Sequence, residues 1–407
     1  MGLLSNGQVT YQKASGSGIP LFRLAFRPFF WLGPLFGVLS ICLWGLVFSG
    51  HIEFSPFGGS YFWHVHEMLF GFTVAIIVGF LLTAVQNWTG VSSIKGMPLA
   101  LLVLLWGSAR LLMAFPHLTS DLVVRIVDLL FLPLAAFAFS IPIVKARMWR
   151  NLFLVPVLLF MGALNILMHF SIIGSFSVSF IEISHMMVVL VSLVICIIGG
   201  RVFPMFTANG TRTPRVLALP WLEKTAIISI LLSILVTVLV TIPSVELPKT
   251  FAALIYLIAG VANFARAWRW QIWVTFSTPL VWSLHLSYWA VCLGFIMLGL
   301  AQFDVLTNAS LAYHAITVGG ISWMVLSMIS RVSLGHTGRP IQVGRIMLAA
   351  FLLMGLAFLT RVIAPLLFDA YSSLVLISSM LWGGAFVTFL IIYTPILFAA
   401  RVDGGQG

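Results

Sequence analysis

The segment from Trp63 to Gly71, Trp-His-Val-His-Glu-Met-Leu-Phe-Gly, places two imidazoles and a carboxylate where an apolar run begins. Neutral imidazole is a ligand for iron, copper and zinc, and a buried carboxylate can tune or protonate such a site. Ionisable groups are costly inside a bilayer and are usually retained there for function. The motif therefore predicts a metal-binding or proton-transfer site close to a membrane surface.

The spacing of these residues limits what they can bind together. His64 and Glu67 are three residues apart and share one helix face, as do Glu182 and His185. His64 and His66 lie about 200° apart around an ideal helix, so both cannot reach one metal ion from regular helix. Either the helix is irregular at its start, or the two histidines serve different ligands.

Most of the other ionisable groups within apolar runs lie at a similar depth. Helix rise places them about 3–10 Å from the outer ends of their spans, with His285 alone deeper. Independent structural histidines have no reason to share one leaflet, so the pattern predicts a common site in the outer half of the membrane. The groups at this depth are His64, His66, His169, Glu182, His185 and His314.

Several of these polar residues have simpler interpretations. A single intramembrane histidine more often forms a hydrogen bond to a neighbouring helix than binds a metal, and we assign that role to His169. Asp128 is expected to pair with Arg125, one turn earlier. His336 lies in a Gly-His-Thr-Gly-Arg segment that is expected at the cytoplasmic side, either as simple loop structure or beside an inner-leaflet quinone or lipid.

Composition defines the class of protein that carries these residues. The chain has 407 residues, of which 61% are hydrophobic and 8% are charged, and its mean hydropathy is +1.13. These values exclude a soluble globular domain and predict an all-α, polytopic transmembrane helix bundle. About twelve spans are predicted, at residues 29–49, 62–85, 98–115, 121–145, 151–173, 178–200, 222–243, 248–267, 277–301, 308–331, 345–367 and 372–399.

The net charge of +11 follows the predicted topology. With the N-terminus inside, seventeen of the 21 Lys and Arg residues fall on the cytoplasmic side, which predicts that both termini are cytoplasmic. The basic excess therefore indicates contact with anionic lipid in the bilayer and no nucleic-acid partner. We expect a flexible cytoplasmic tail at 1–20, one transmembrane domain at 21–401 and a second cytoplasmic tail at 402–407. The three cysteines form no CxxC pattern, which argues against disulfides and covalently attached haem.

Motifs along nearly the whole chain resemble those of one known family. They are Phe26-Arg27-Pro28-Phe29-Phe30, the His64–Gly71 block, residues 79–84 and 88–90, Gly199-Gly200-Arg201-Val202-Phe203-Pro204, Leu284-His285-Leu286 near Tyr288-Trp289, His314-Ala315 and the segment 331–339. Together, and in this order, they resemble the NnrS family of haem- and copper-containing membrane proteins linked to the nitric oxide response. The resemblance implies haem b, copper, protection against nitrosative stress and a place in the bacterial cytoplasmic (inner) membrane.

The residues and the resemblance together predict a haem–copper site that binds nitric oxide and reduces it to nitrous oxide. The predicted haem ligands are His285 and His314, and the predicted copper ligands are His64, His66 and His185; exchanging His185 with His314 is equally consistent with the sequence. Glu67 and Glu182 are predicted to deliver protons, and membrane quinol is the expected electron donor.

Three other functions are compatible with the sequence. A non-catalytic haem protein could sequester or sense nitric oxide, and a transporter could use the same polar groups, although a site confined to one leaflet argues against transport. A carboxylate-bridged di-metal centre could use the two His/Glu pairs. The sequence leaves the oligomeric state open.

Overall fold

The computed structural model describes residues 19–174, 178–306 and 308–405. Within these ranges the chain is helical and contains no strand, and twelve helices are long and apolar enough to cross a membrane. This confirms the all-α, twelve-span prediction. The spans are α1 Phe26–Phe48, α2 Ser60–Thr89, α3 Met97–Ala114, α4 Asp121–Lys145, α5 Trp149–Ser171, α6 Phe180–Thr211, α7 Pro220–Leu239, α8 Lys249–Trp268, α9 Pro279–Gln302, α10 Ala309–His336, α11 Arg345–Leu366 and α12 Tyr371–Phe398.

Helices form here because a chain in hydrocarbon must satisfy its backbone hydrogen bonds internally. Small residues then let the helices approach closely. The first and last spans, α1 and α12, pack along each other, and a Cβ atom at Gly45 would lie 2.8 Å from the Cβ of Ser379. On the same span, a Cβ at Gly33 would lie 2.9 Å from Ile76 of α2. These contacts fix α1 between α2 and α12.

The connections between spans are short, so consecutive spans run antiparallel. The N-terminal ends of all even-numbered spans therefore lie at one face of the membrane. Histidines near the starts of α2, α6 and α10 are brought to the same depth in this way, and α6 contacts both α2 and α10. This topology gathers residues that are far apart in the sequence.

Three stretches depart from regular α-helix and form π-helix within the described part of the chain. They are Glu67–Thr73 in α2, Ala315–Ser322 in α10 and Leu359–Ile363 in α11. Such segments carry an extra residue in a helical turn and are frequent at functional sites. The first two follow directly after His66 and His314.

The end of the bundle that is predicted to be cytoplasmic includes the terminal segments. Most of the predicted tail at 1–20 lies outside the described residues, as do the last two residues of the tail at 402–407. His336 is the final residue of α10; its ring lies 5.4 Å from that of Phe26, and its carbonyl accepts a hydrogen bond from Arg401. This contact ties the end of α10 to both ends of the membrane domain.

The charge distribution predicts how the bundle is oriented. Alkaline phosphatase fused after Val402 should be inactive, because the enzyme needs disulfides that do not form in the cytoplasm. The same enzyme fused after Leu118, in the connection between α3 and α4, should be active. The reverse activity pattern in intact cells would contradict the predicted cytoplasmic termini.

Candidate functional site

A cavity of about 710 Å³ lies between α1, α2, α6, α10, α11 and α12. Three histidines line it, one from each of three even-numbered spans: His64, His185 and His314. The rest of the wall is mostly apolar, with the rings of Trp44 and Trp382 among it. The volume lies within the usual range for cofactor and ligand sites. Three of the six groups that the sequence places at one depth therefore line one cavity.

His314 is held in one orientation. Its Nδ1 atom lies 2.7 Å from the backbone carbonyl oxygen of Ser310, one turn earlier, and donates to it. This bond leaves the lone pair on Nε2, which lies 3.2 Å from a guanidinium nitrogen of Arg361. A backbone carbonyl that fixes the Nδ1 proton is the common arrangement of a metal-binding histidine. His314 is therefore prepared to bind a metal through Nε2.

The other two cavity histidines are held by aromatic stacking. The His64 ring lies parallel to that of Trp44, with the centroids 4.3 Å apart. The His185 ring lies parallel to that of Tyr313, with the centroids 3.6 Å apart. The buried Nδ1 atom of His64 has no hydrogen-bond partner among the described residues. Stacking fixes the planes of both rings without occupying their nitrogen atoms.

All three π-helical segments of the described chain contribute to the cavity wall. Leu69 and Phe72 come from the first segment, Val318 and Ile321 from the second, and Arg361 from the third. A π-helical turn shifts the side chains that follow it around the helix axis. The irregularity of these spans is thus concentrated where the cavity is.

A separate polar cluster lies on the opposite side of α2. Here the His66 ring lies among three oxygen acceptors: its Nδ1 is 2.9 Å from Glu67 Oε1, and its Nε2 is 2.8 Å from Asn165 Oδ1 and 3.2 Å from Asp128 Oδ2. Arg110 of α3 bridges the two carboxylates; it donates to Glu67 at 2.7 Å and to Asp128. We call Glu67, His66, Arg110, Asp128, Asn165 and His169 the Arg110 cluster.

The charges in the Arg110 cluster balance when one more cation is present. One guanidinium and two carboxylates leave a formal charge of −1, and both His66 nitrogens face oxygen acceptors. A proton on each nitrogen of His66 satisfies these acceptors and brings the cluster to neutrality. His66, Asp128 and His169 also offer ligand atoms within 4.8 Å of one another, a spacing that could hold a metal ion. A divalent ion in place of the proton would leave a buried positive charge, which is costly in a membrane.

The partners of Asp128 differ from the sequence prediction. The expected pairing of Asp128 with Arg125 is wrong. The guanidinium of Arg125 reaches the backbone carbonyl of His169 at the end of α5, whereas Asp128 faces the interior and pairs with Arg110. His169 donates from Nε2 to Asp128 Oδ2 at 2.9 Å, which confirms its predicted bond to a neighbouring helix.

The structure does not bring every predicted site residue to the cavity. His285 pairs with Thr207 at 2.8 Å. Thr207 follows His185 by 22 residues, about 33 Å along α6. His285 and His314 each lie near the N-terminal end of consecutive antiparallel spans and so at opposite membrane faces.

The two predicted acids lie beside the cavity without lining it. Glu67 is fully buried in the Arg110 cluster. Glu182 forms a capping box with Ser179 at the start of α6, where its carboxylate accepts from the Ser179 backbone N–H at 2.8 Å. Its neighbours Ile181 and Ser184 do line the cavity.

Reasoning from the sequence missed two buried arginines. Arg110 and Arg361 are two of the four basic residues that the predicted topology places toward the outer side, but both are buried within spans. The available signal was position: Arg110 follows thirteen residues of α3 that carry no charge, and Arg361 follows fifteen such residues of α11. An arginine so deep in an apolar run needs a buried partner, and that requirement marks it as part of a site.

The fold and cavity define a multi-pass helical membrane protein with a histidine-lined cavity toward one membrane face. The NnrS protein family model matches residues 20–401. The chain therefore belongs to the NnrS family, membrane proteins of the nitric oxide response that are associated with haem and metal binding. A comparison with curated proteins found no match.

The Arg110 cluster predicts a large effect of removing one of its charges. Asp128→Asn leaves Arg110 with one carboxylate and deprives His66 and His169 of a charged acceptor. Breaking a buried ion pair costs about 3–5 kcal/mol, so unfolding of the purified protein in an SDS titration should shift to clearly lower SDS.

The matched control is Asp369→Asn, which removes an exposed carboxylate from the connection before α12. This variant should unfold like the wild type. If Asp128→Asn and Asp369→Asn unfold at the same SDS concentration, the ion pair between Arg110 and Asp128 does not stabilise the bundle.

Proposed function

We propose that the cavity holds haem b and a copper ion, and that the protein binds nitric oxide there and reduces it to nitrous oxide. Two nitric oxide molecules, two electrons and two protons give one nitrous oxide and one water. The observation that carries the proposal is the convergence of His64, His185 and His314 on one large, mostly apolar cavity.

The spread of the three histidines supports a haem with a second metal rather than one ion. Among the described residues, a set of three ligand groups within 4.8 Å is found only in the Arg110 cluster, and the cavity histidines do not form one. Imidazole is a suitable ligand for haem iron and for copper. The cavity fits both groups, because it is wide and walled by aromatic and aliphatic side chains.

We assign His314 to the haem iron and His64 and His185 to copper. His314 has the fixed Nδ1 proton expected of a histidine that would hold haem iron through Nε2. This assignment keeps one of the predicted haem ligands and two of the predicted copper ligands. Haem and copper would supply electron transfer and binding positions for nitric oxide when bound.

The protein's own residues exclude water and deliver protons. Side chains such as Phe72, Val318 and Ile321 line the cavity and favour an uncharged gas over water. Of the two predicted acids, Glu182 is the better proton donor in this arrangement, because its helical neighbours line the cavity and its side chain is partly exposed. Glu67 is held by Arg110 instead and serves to position α2.

The electron source and the cellular location complete the proposal. No CxxCH motif is present in the sequence, so electrons would come from membrane quinol rather than from a covalently bound haem. A quinol donor and a nitrosative-stress role fit the bacterial inner membrane, with the cavity toward the outer face.

The test of function is to purify the protein in detergent, record its optical spectrum and measure its metals. A Soret band and copper are expected, and anaerobic nitric oxide with excess reductant should yield nitrous oxide. Absence of haem would overturn the proposal. Nitric oxide binding without nitrous oxide would identify a protein that sequesters or senses the gas.

The ligand assignment predicts a pattern of losses among histidine variants. His314→Ala should lose haem, because it removes the histidine that we assign to the haem iron, whereas His64→Ala and His185→Ala should lose copper and keep haem. His285→Ala is the matched control; it should keep both, because His285 lies at the opposite membrane face. Haem content that depends on His285 and not on His314 would refute the assignment.

A further inference from the structure

Arg361 has an unusual environment for a buried cation. It lies in the π-helical segment of α11, is 9% exposed and lines the histidine cavity. Its Nη2 atom lies 3.0 Å from the hydroxyl of Tyr371 and 3.2 Å from His314 Nε2. Its buried Nη1 atom has no hydrogen-bond partner in the described part of the chain.

Two other buried arginines of the bundle, Arg110 and Arg266, are paired with carboxylates. Arg110 bridges two carboxylates, and Arg266 pairs with Glu223 at 3.1 Å and donates to the Cys196 carbonyl. Arg361, by contrast, forms no ion pair with a described carboxylate within 4.0 Å. A buried cation without an anion is costly, especially within a membrane. Because Arg361 lines the cavity, a ligand bound there is placed to supply this anion.

We propose that Arg361 binds a carboxylate of the cavity ligand, namely a propionate of the haem. Guanidinium and carboxylate form short, charge-assisted hydrogen bonds that are often paired, and Nη1 is the donor still free for one. The hydroxyl of Tyr371, already beside Arg361, is placed to donate to the same carboxylate. This inference rests on the proposed function, since it names the group of the haem that the chain anchors.

Pairing of Arg361 with a propionate also changes the hydrogen bonding of His314 Nε2. Without an anion, Arg361 donates toward Nε2, the atom assigned to iron. A propionate draws the guanidinium to itself and leaves the Nε2 lone pair for the metal. Arg361 therefore acts as a positioning residue that couples anchoring of the haem edge to ligation at its centre.

The test compares haem with its dimethyl ester, in which both propionates are neutral. Each is titrated into full-length protein made in haem-deficient cells, and binding is followed by the Soret band. The wild type should bind haem at least about tenfold more tightly than the ester, because the ester cannot form the ion pair. Arg361→Gln should bind both probes alike, with the weaker affinity, and Arg361→Lys should restore part of the preference for haem.

Arg331→Gln is the matched control. Arg331 is also buried, but it lies over the Phe206 ring at 4.0 Å and does not line the cavity. This variant should keep the wild-type preference for haem over the ester. The midpoint potential of bound haem should fall in Arg361→Gln, because that variant removes a positive charge beside the haem, and it should change less in Arg361→Lys, which keeps the charge.

Equal binding of haem and ester by the wild type would overturn the inference, whatever the stability of the variants. An unchanged preference in Arg361→Gln would do the same. If the wild type takes up neither probe, the proposed function fails, and this outcome differs from a failure of the Arg361 pairing alone.

Discussion

The ion pairs of Arg110 with Glu67 and Asp128 are the interaction on which the arrangement of the site depends. They fix the side of α2 that carries His66 against α3, α4 and α5. Because His64 lies about 200° away around the same helix, fixing one side turns the other toward the cavity. The cluster reaches neutrality within itself, so its charges can remain buried. Charge balance on one face of α2 thereby sets the direction of His64 on the other.

The π-helical segments show how the bundle makes room for a large ligand. Gly319 and Gly320, within the π-helical segment of α10, lie against neighbouring side chains so tightly that a Cβ atom at either would lie 2.4 Å from one. The cavity lies where α-helical hydrogen bonding changes to π-helical hydrogen bonding, directly after His66 and His314. A π-helical span can therefore pack closely against neighbouring helices on one face and line a cavity on another.

The general form of the site was predictable from the sequence because it depends on helix rise and on alternating span direction. These two rules place His64, His185 and His314 at one depth, and helix geometry separates His64 from His66. The partners of buried charges were not predictable in this way. Asp128 pairs across helices with Arg110 rather than along its own helix with Arg125, and such pairs depend on which spans are neighbours. The π-helical segments carry no local sequence signal, so the sequence marks Arg361 as unusual without showing that its side chain faces the cavity.

A cryo-electron microscopy map of the detergent-purified protein tests the central claim most directly. The account predicts planar haem density in the cavity between α2, α6 and α10, with the iron joined to Nε2 of His314 and one propionate against Arg361. Haem density beside His285 at the opposite face, or a cavity filled only by lipid, would contradict it.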